Sequence, residues 1–115
     1  IYLDDDIQGG GKTNFCIGTA GYPEKHFEAP NLEIDLQRLK EKVDAGADYI
    51  MTQMFFDNQK FFEYVKTCRD MGIQVPIIPG LKPITNKKQL SVLPRIFHVD
   101  IPTDLSNPIM KCKTD

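Results

Sequence analysis

The stretch Tyr49-Ile50-Met51-Thr52-Gln53-Met54-Phe55-Phe56 is almost continuously apolar. A strand with one wet face alternates, whereas an unbroken run marks a strand covered on both faces, as in a parallel sheet flanked by helices. That requirement narrows the fold to an α/β architecture, because helices must lie on each side. Gln53 interrupts the run. An amide in apolar surroundings costs free energy unless it finds partners, so backbone or ligand must satisfy it. Backbone pairing is the commoner arrangement for a buried amide. Against it stands the position of Gln53 near the carboxyl end of the strand, just before the next helix, where α/β folds bind ligands.

The neighbouring stretches supply the helices. Asn31 can cap one that carries Leu32, Leu36, Leu39 and Val43 as its apolar stripe, with Glu33 and Asp35 in the first turn, where carboxylates suit the helix dipole, and Gly46 at its end. Asp57 or Asn58 can cap a second, striped by Phe61, Phe62, Val65 and Cys68 and closed by Gly72. Two more short apolar runs read as strands. Residues 15–20 form the first, bounded by Gly21; residues 73–78 form the other, with Pro76 tolerable near its start and Pro79-Gly80 ending it. Thr85 or Asn86 then caps a short helix through Leu90 and Leu93, which Pro94 interrupts. Strand, helix, strand, helix, strand, helix is the order of βαβ units on a parallel sheet. From Ile101-Pro102 onward the pattern is undecided, and no element is assigned to the tail at 106–115.

The turns from helix to strand are short and plain, whereas the loops from strand to helix hold Tyr22, His26, Gln53, Asp57 and Lys82. Polar chemistry therefore gathers on one rim of the sheet, the rim that carries sites in barrels and open α/β sheets. A chain of 115 residues suits one modest domain. Its formal charge of -2 gives no support to nucleic acid as a partner. No apolar run approaches the roughly 18 residues of a membrane span, and Asp4, Asp5 and Asp6 stand where a signal peptide would be basic. Cys16, Cys68 and Cys112 are odd in number and far apart, which reads as reduced thiols in a cytoplasmic protein, without metal-ligand spacing. Gly9-Gly10-Gly11-Lys12-Thr13 invites a phosphate-loop reading, but Asp6 occupies the place of the motif's first glycine and no apolar strand precedes it. Residues 1–14 read instead as a flexible polar connection. His26 lies between Glu24 and Glu28, too thin a pattern on a proline-containing loop for a metal site. By spacing alone Lys42, beside Glu41 and Asp44, is an ordinary solvated helix lysine.

Several motifs in fixed order carry a resemblance. Ala20-Gly21-Tyr22-Pro23-Glu24-Lys25-His26-Phe27-Glu28-Ala29 is followed by Asp35, by Leu39-Lys40-Glu41-Lys42-Val43-Asp44-Ala45-Gly46-Ala47-Asp48, by Thr52-Gln53-Met54-Phe55-Phe56-Asp57 and by Ile77-Ile78-Pro79-Gly80. Over residues 15–105 the chain resembles methylenetetrahydrofolate reductase. The resemblance implies part of a (β/α)8 TIM barrel, about three βα units with parallel strands. It implies an FAD-dependent oxidoreductase in which NAD(P)H passes a hydride to FAD and the reduced flavin converts 5,10-methylenetetrahydrofolate to 5-methyltetrahydrofolate, both substrates using one flavin face. By matching position, Tyr22, His26, Ala29, Asp35 and Lys42 resemble the family's FAD contacts. Gln53 resembles the amide that binds the pterin, and Gln89 a second contact on the substrate side. Arg38 and Glu41 stand where some members also touch FAD, but differ in type. The side chains suit these tasks: Tyr22 offers a ring and a hydroxyl, His26 a donor, Lys42 a point charge for a pyrophosphate, and the Gln53 carboxamide both a donor and an acceptor for a pterin edge.

A complete barrel takes about 250 residues, so the resemblance implies a piece from the later half. The family's catalytic glutamate belongs to an earlier strand, and no catalytic residue is assigned in this chain; the piece alone is expected to be inactive, and the whole protein to be a cytoplasmic homo-oligomer. Two other readings stay open. One is a different TIM-barrel enzyme, of aldolase or synthase type, for which Lys82 is the one lysine placed after a strand. The other is a non-enzymatic α/β module that binds a partner protein.

Overall fold

The computed structural model describes residues 14–112, so the glycine-rich run at 9–13 lies outside the described residues, as does nearly all of the connection assigned to 1–14. Strands and helices alternate through β1 (Gly18–Gly21), α1 (Leu32–Asp44), β2 (Tyr49–Thr52), α2 (Asn58–Asp70) and β3 (Ile77–Ile78), followed by α3 (Gln89–Phe97) and α4 (Thr103–Met110). The three strands lie side by side in chain order and both pairings are parallel, with Gly21 opposite Thr52 and Met51 opposite Ile78. Parallel strands alternating with helices make an α/β architecture, the expected fold class.

Helices α1 and α2 begin where a side chain can take up a free N–H. Asn31 Oδ1 accepts from Ile34 N at 2.9 Å, and Asp57 Oδ1 accepts from Gln59 N at 3.0 Å. At the far end of α1 the chain turns through Gly46 at φ +123, a conformation closed to ordinary side chains. Leu36 and Leu39 from α1, Ile50 from β2, Tyr64 and Cys68 from α2, and Ile73 form the core. Ile50 is fully buried at its centre; burial of such a side chain contributes about 1.5–3 kcal/mol.

Several elements differ from their sequence expectations. The organising run is a strand only as far as Thr52: Gln53 N donates to Gly21 O at 2.8 Å, after which the chain leaves the sheet for the cap of α2. Phe55 is buried outside the sheet, stacked on Phe61 with ring centroids 4.7 Å apart. Nor is β2 covered twice. Ile50 and Thr52 are buried under the helices, while Met51 on the opposite face is 51% exposed. Residues 15–17 precede β1 and Phe15 is exposed, because the alignment with β2 starts at Ile17, which exchanges hydrogen bonds with Asp48. Residues 73–76 precede β3 for a different reason: Arg69 Nη1 takes the carbonyls of Ile73 and Val75, at 2.7 and 2.8 Å, so they never join the ladder.

The stripe expected on α2 also shifts. Tyr64 and Cys68 are its buried residues and Phe62 is exposed, since position 62 falls off the face shared by 61, 64, 65 and 68. Leu32 is likewise exposed at the start of α1. Helix α3 runs through Pro94 rather than stopping there; Pro94 forgoes one N–H bond, its carbonyl still accepts from His98 N at 3.0 Å, and His98 closes the helix at φ +55. The undecided tail forms α4.

Candidate functional site

At the carboxyl end of β1 the chain enters a loop that α1 and α2 pin from both sides. Asp35 Oδ2 on α1 accepts from His26 N at 2.9 Å. Tyr64 on α2 lies beneath, close enough that a Cβ on Gly21 would sit 2.5 Å from its hydroxyl, so only a glycine lets the two approach. Burial pushes the Tyr64 hydroxyl well above the usual phenol range, with the Tyr22 backbone facing it as a smaller opposing influence. Tyr22 and His26 meet edge to face with ring centroids 4.6 Å apart. His26 Nδ1 accepts from Glu28 N at 3.1 Å. A ring nitrogen that accepts carries no proton, so in the neutral imidazole the proton is on Nε2, which makes Nε2 the donor.

These residues line a cleft of about 210 Å³ that includes Tyr22, His26, Glu28, Asp35, Arg38 and Lys42. Positions 35, 38 and 42 are spaced by three and four, so one face of α1 delivers a carboxylate and two cations together. Asp44 is paired with Lys40 at 2.9 Å, and among the described residues no ion pair holds Lys42. Lys42 is exposed, as the solvated-helix reading expects, and it also stands at the wall of the cleft. Sequence reasoning left Arg38 in doubt and passed over Glu28 and Tyr64; the helical spacing from Asp35 to Lys42 was the signal for Arg38.

Tyr22 also borders a second hollow, of about 370 Å³, over the open face of the sheet, together with Tyr49, Met51, Thr52 and Gln53. Tyr22, His26 and Gln53 therefore share one rim, with Tyr22 common to both hollows. Gln53 Oε1 accepts from Met54 N at 2.9 Å, which orients the amide and leaves its Nε2 donating to no described residue. A partly buried amide with one end fixed by backbone presents its NH2 group to whatever enters.

Two of the proposed contacts stand apart. Ala29 is buried, with its carbonyl accepting from Lys25 Nζ at 2.9 Å, and borders neither hollow. Gln89 sits at the start of α3, where its Oε1 accepts from Thr85 N at 2.6 Å and Asn86 N at 3.3 Å while Asn86 Oδ1 accepts from Gln89 N at 3.2 Å. That reciprocal arrangement is a capping box, and it occupies the Gln89 oxygen.

A larger cavity, of about 590 Å³, lies in the helical layer beside Leu36, Lys60, Tyr64 and Asp100. Lys60 there bridges Glu24 at 3.0 Å and Asp100 at 3.4 Å, and Glu24 holds its ammonium above the usual lysine range against the opposing effect of burial. Glu24 also accepts from Asp100 N at 3.0 Å, so the cluster fastens the rim loop to the segment after α3. The cavity includes none of Tyr22, His26, Lys42 or Gln53. Size alone would select it; the convergence of unpaired donors at the strand ends selects the rim instead. Among the described residues no group of three His, Cys, Asp or Glu side chains is placed to hold a metal ion. No helix among them is long and apolar enough to cross a membrane.

The model of the methylenetetrahydrofolate reductase family matches residues 7–115. A probable methylenetetrahydrofolate reductase (NADPH) of Caenorhabditis elegans is 40% identical over 101 residues, covering 88% of this chain and 15% of that protein. Methylenetetrahydrofolate reductase 2 of Saccharomyces cerevisiae is 42% identical over 104 residues, covering 89% and 17%. The 5,10-methylenetetrahydrofolate reductase of Salmonella typhimurium is 43% identical over 93 residues, covering 81% and 31%. The chain thus spans between about a seventh and a third of the length of these relatives. A solved structure described as an uncharacterized protein from Clostridium thermocellum that binds two copies of 5-methyl-5,6,7,8-tetrahydrofolic acid superposes with a TM-score of 0.64 at 23% identity, over 86% of this chain and 35% of that one. At that identity the likeness speaks for the fold, and it agrees with the parallel α/β arrangement described above. With the family model covering nearly the whole sequence, the chain belongs to the methylenetetrahydrofolate reductase family.

Proposed function

We propose that this chain forms the flavin- and folate-facing rim of a (β/α)8 barrel enzyme that reduces 5,10-methylenetetrahydrofolate to 5-methyltetrahydrofolate with NAD(P)H through FAD. The observation that carries the reading is the shared rim: one hollow rich in donors and cations, another presenting an oriented amide, and Tyr22 between them. The donor set fits a dinucleotide. Arg38 and Lys42 suit a pyrophosphate, His26 Nε2–H suits a hydroxyl or phosphate oxygen, and Tyr22 gives a ring and a hydroxyl. The cleft's volume suits part of such a cofactor, with the remainder against other parts of the barrel.

When bound, the flavin supplies hydride transfer between the nicotinamide and the folate. Everything else the chain does is placement. Asp35, at the wall of the cleft, holds the His26 backbone, and Ala29 belongs to the fold of the loop. Gln53 orients the pterin through its amide. Gln89, capping α3, reaches the substrate side only if that box opens. No residue here is assigned proton transfer; in this reading the acid lies on an earlier strand. The open sheet face with Tyr49, Met51 and Ile78 becomes barrel interior. The same reading places the protein in the cytoplasm, as a homo-oligomer serving one-carbon and methionine metabolism.

Flavin titration and steady-state turnover of the whole protein test the reading together. Stoichiometric FAD uptake with folate-dependent oxidation of NAD(P)H is expected. Absence of flavin binding would reject it.

A further inference from the structure

Lys25 lies inside the rim loop at φ +81, a backbone conformation that side-chain-bearing residues seldom adopt. Its ammonium turns inward. Nζ donates to Ala29 O at 2.9 Å, to His26 O at 3.1 Å and, more weakly, to Phe27 O at 3.5 Å. Lys25 N donates to Tyr22 O at 3.0 Å, and Ala29 N donates to His26 O at 3.0 Å. Through backbone or ammonium, one residue thus touches the turns that carry Tyr22, His26 and Ala29. An ammonium has three donors and no acceptor, and three carbonyl oxygens converge on it. Arginine cannot reproduce this, because its donors lie in a planar fork rather than on a point. Lys25 does not line the cleft that holds His26 and Lys42. Its charge is spent on the loop.

We propose that Lys25 is the positioning residue of the rim loop, a built-in cation seated on a nest of carbonyls that sets the orientation of His26 and Tyr22 toward FAD. The inference rests on the reading that these two residues face the cofactor. Without the ammonium the three carbonyls lose their common partner, and the loop opens while the core of Leu36, Ile50 and Tyr64 stays packed. A small cation supplied from solution should then substitute for the missing side chain.

The test uses the whole protein as wild type, Lys25→Gly and Lys25→Met. Glycine adopts φ +81 freely, so that variant removes the ammonium together with any backbone strain, whereas methionine keeps the bulk and the strain. Loss of charge-assisted hydrogen bonds predicts FAD binding weakened about tenfold in both variants. Ammonium or methylammonium chloride should restore most of the affinity of Lys25→Gly, while sodium chloride at equal ionic strength should not. Thermal melts of the apoproteins serve as the control for folding. Wild-type affinity in Lys25→Gly, or recovery that is absent or equal with sodium, would overturn the proposal while leaving the flavin reading intact. A wild-type protein that takes up no FAD would overturn both.

Discussion

Tyr22 borders both hollows, so substitutions on either side of it should separate two activities. Replacing Gln53 by alanine in the whole protein removes the oriented amide and nothing from the cationic cleft. Folate-dependent kcat/KM is expected to fall about ten- to a hundredfold, the cost of an unmade buried hydrogen bond, with FAD content unchanged. Lys42→Met should do the reverse, weakening FAD about tenfold and reducing the salt sensitivity of its binding. Steady-state kinetics and flavin fluorescence titration read the two effects; a Gln53→Ala protein that loses FAD would contradict the division.

Titration behaviour tests the buried layer beneath the rim. Burial raises Tyr64 and Cys68, and the Glu24 carboxylate raises Lys60. In all three the folded state holds its proton more tightly than the unfolded chain. Their stabilising contribution is therefore complete below the unfolded values and is lost as pH rises past roughly 9–10. Urea midpoints should fall as pH rises through that window, and Tyr64→Phe should make the fall shallower by removing one of the three groups. Exposed Cys16 and Cys112 should react with a thiol reagent in the folded chain, while buried Cys68 reacts only on unfolding.

Helix α1 is the element on which the cleft depends, because its N-terminal half carries Asp35 and Arg38 and its last turn Lys42. Asn31→Ala deletes its cap and should cost about 1 kcal/mol in denaturant unfolding; FAD binding should weaken with it, as the first turn that positions Asp35 frays. An unchanged midpoint would mean that the cap is dispensable. This helix was also the most legible element in the sequence. Its cap, its apolar residues and its glycine stop are all local signals, and Leu36 and Leu39 are buried as expected. The strands were less legible. A continuous apolar run does not say which residues face a sheet and which, like Phe55, fill space beneath a helix; nor does composition reveal that Arg69 takes the carbonyls of Ile73 and Val75. Tyr22, His26, Lys42 and Gln53 were singled out through motif order, and the structure sets them around two adjoining hollows. Only packing could place Tyr64 beneath Gly21, or show Ala29 and Gln89 occupied with the backbone.

The molecule as a whole keeps one face of its sheet open. Met51 and Ile78 are 51% and 43% exposed, and among the described residues no strand pairs beyond β1 or β3. Apolar surface and bare strand edges favour association. The isolated 115-residue chain should therefore sediment as a concentration-dependent mixture, and Met51→Lys should shift it toward monomer. A sharp monomer at high concentration would show that this face is tolerated in water.

Tyr22 joins the proposed flavin cleft to the proposed pterin hollow. The direct measurement is a crystal structure of the whole protein with FAD and 5-methyltetrahydrofolate bound. It should place the cofactor against Tyr22, His26 and Lys42 and the pterin within hydrogen-bond reach of the Gln53 amide. A cofactor found instead in the cavity beside Lys60 and Asp100, or a pterin remote from Gln53, would contradict it.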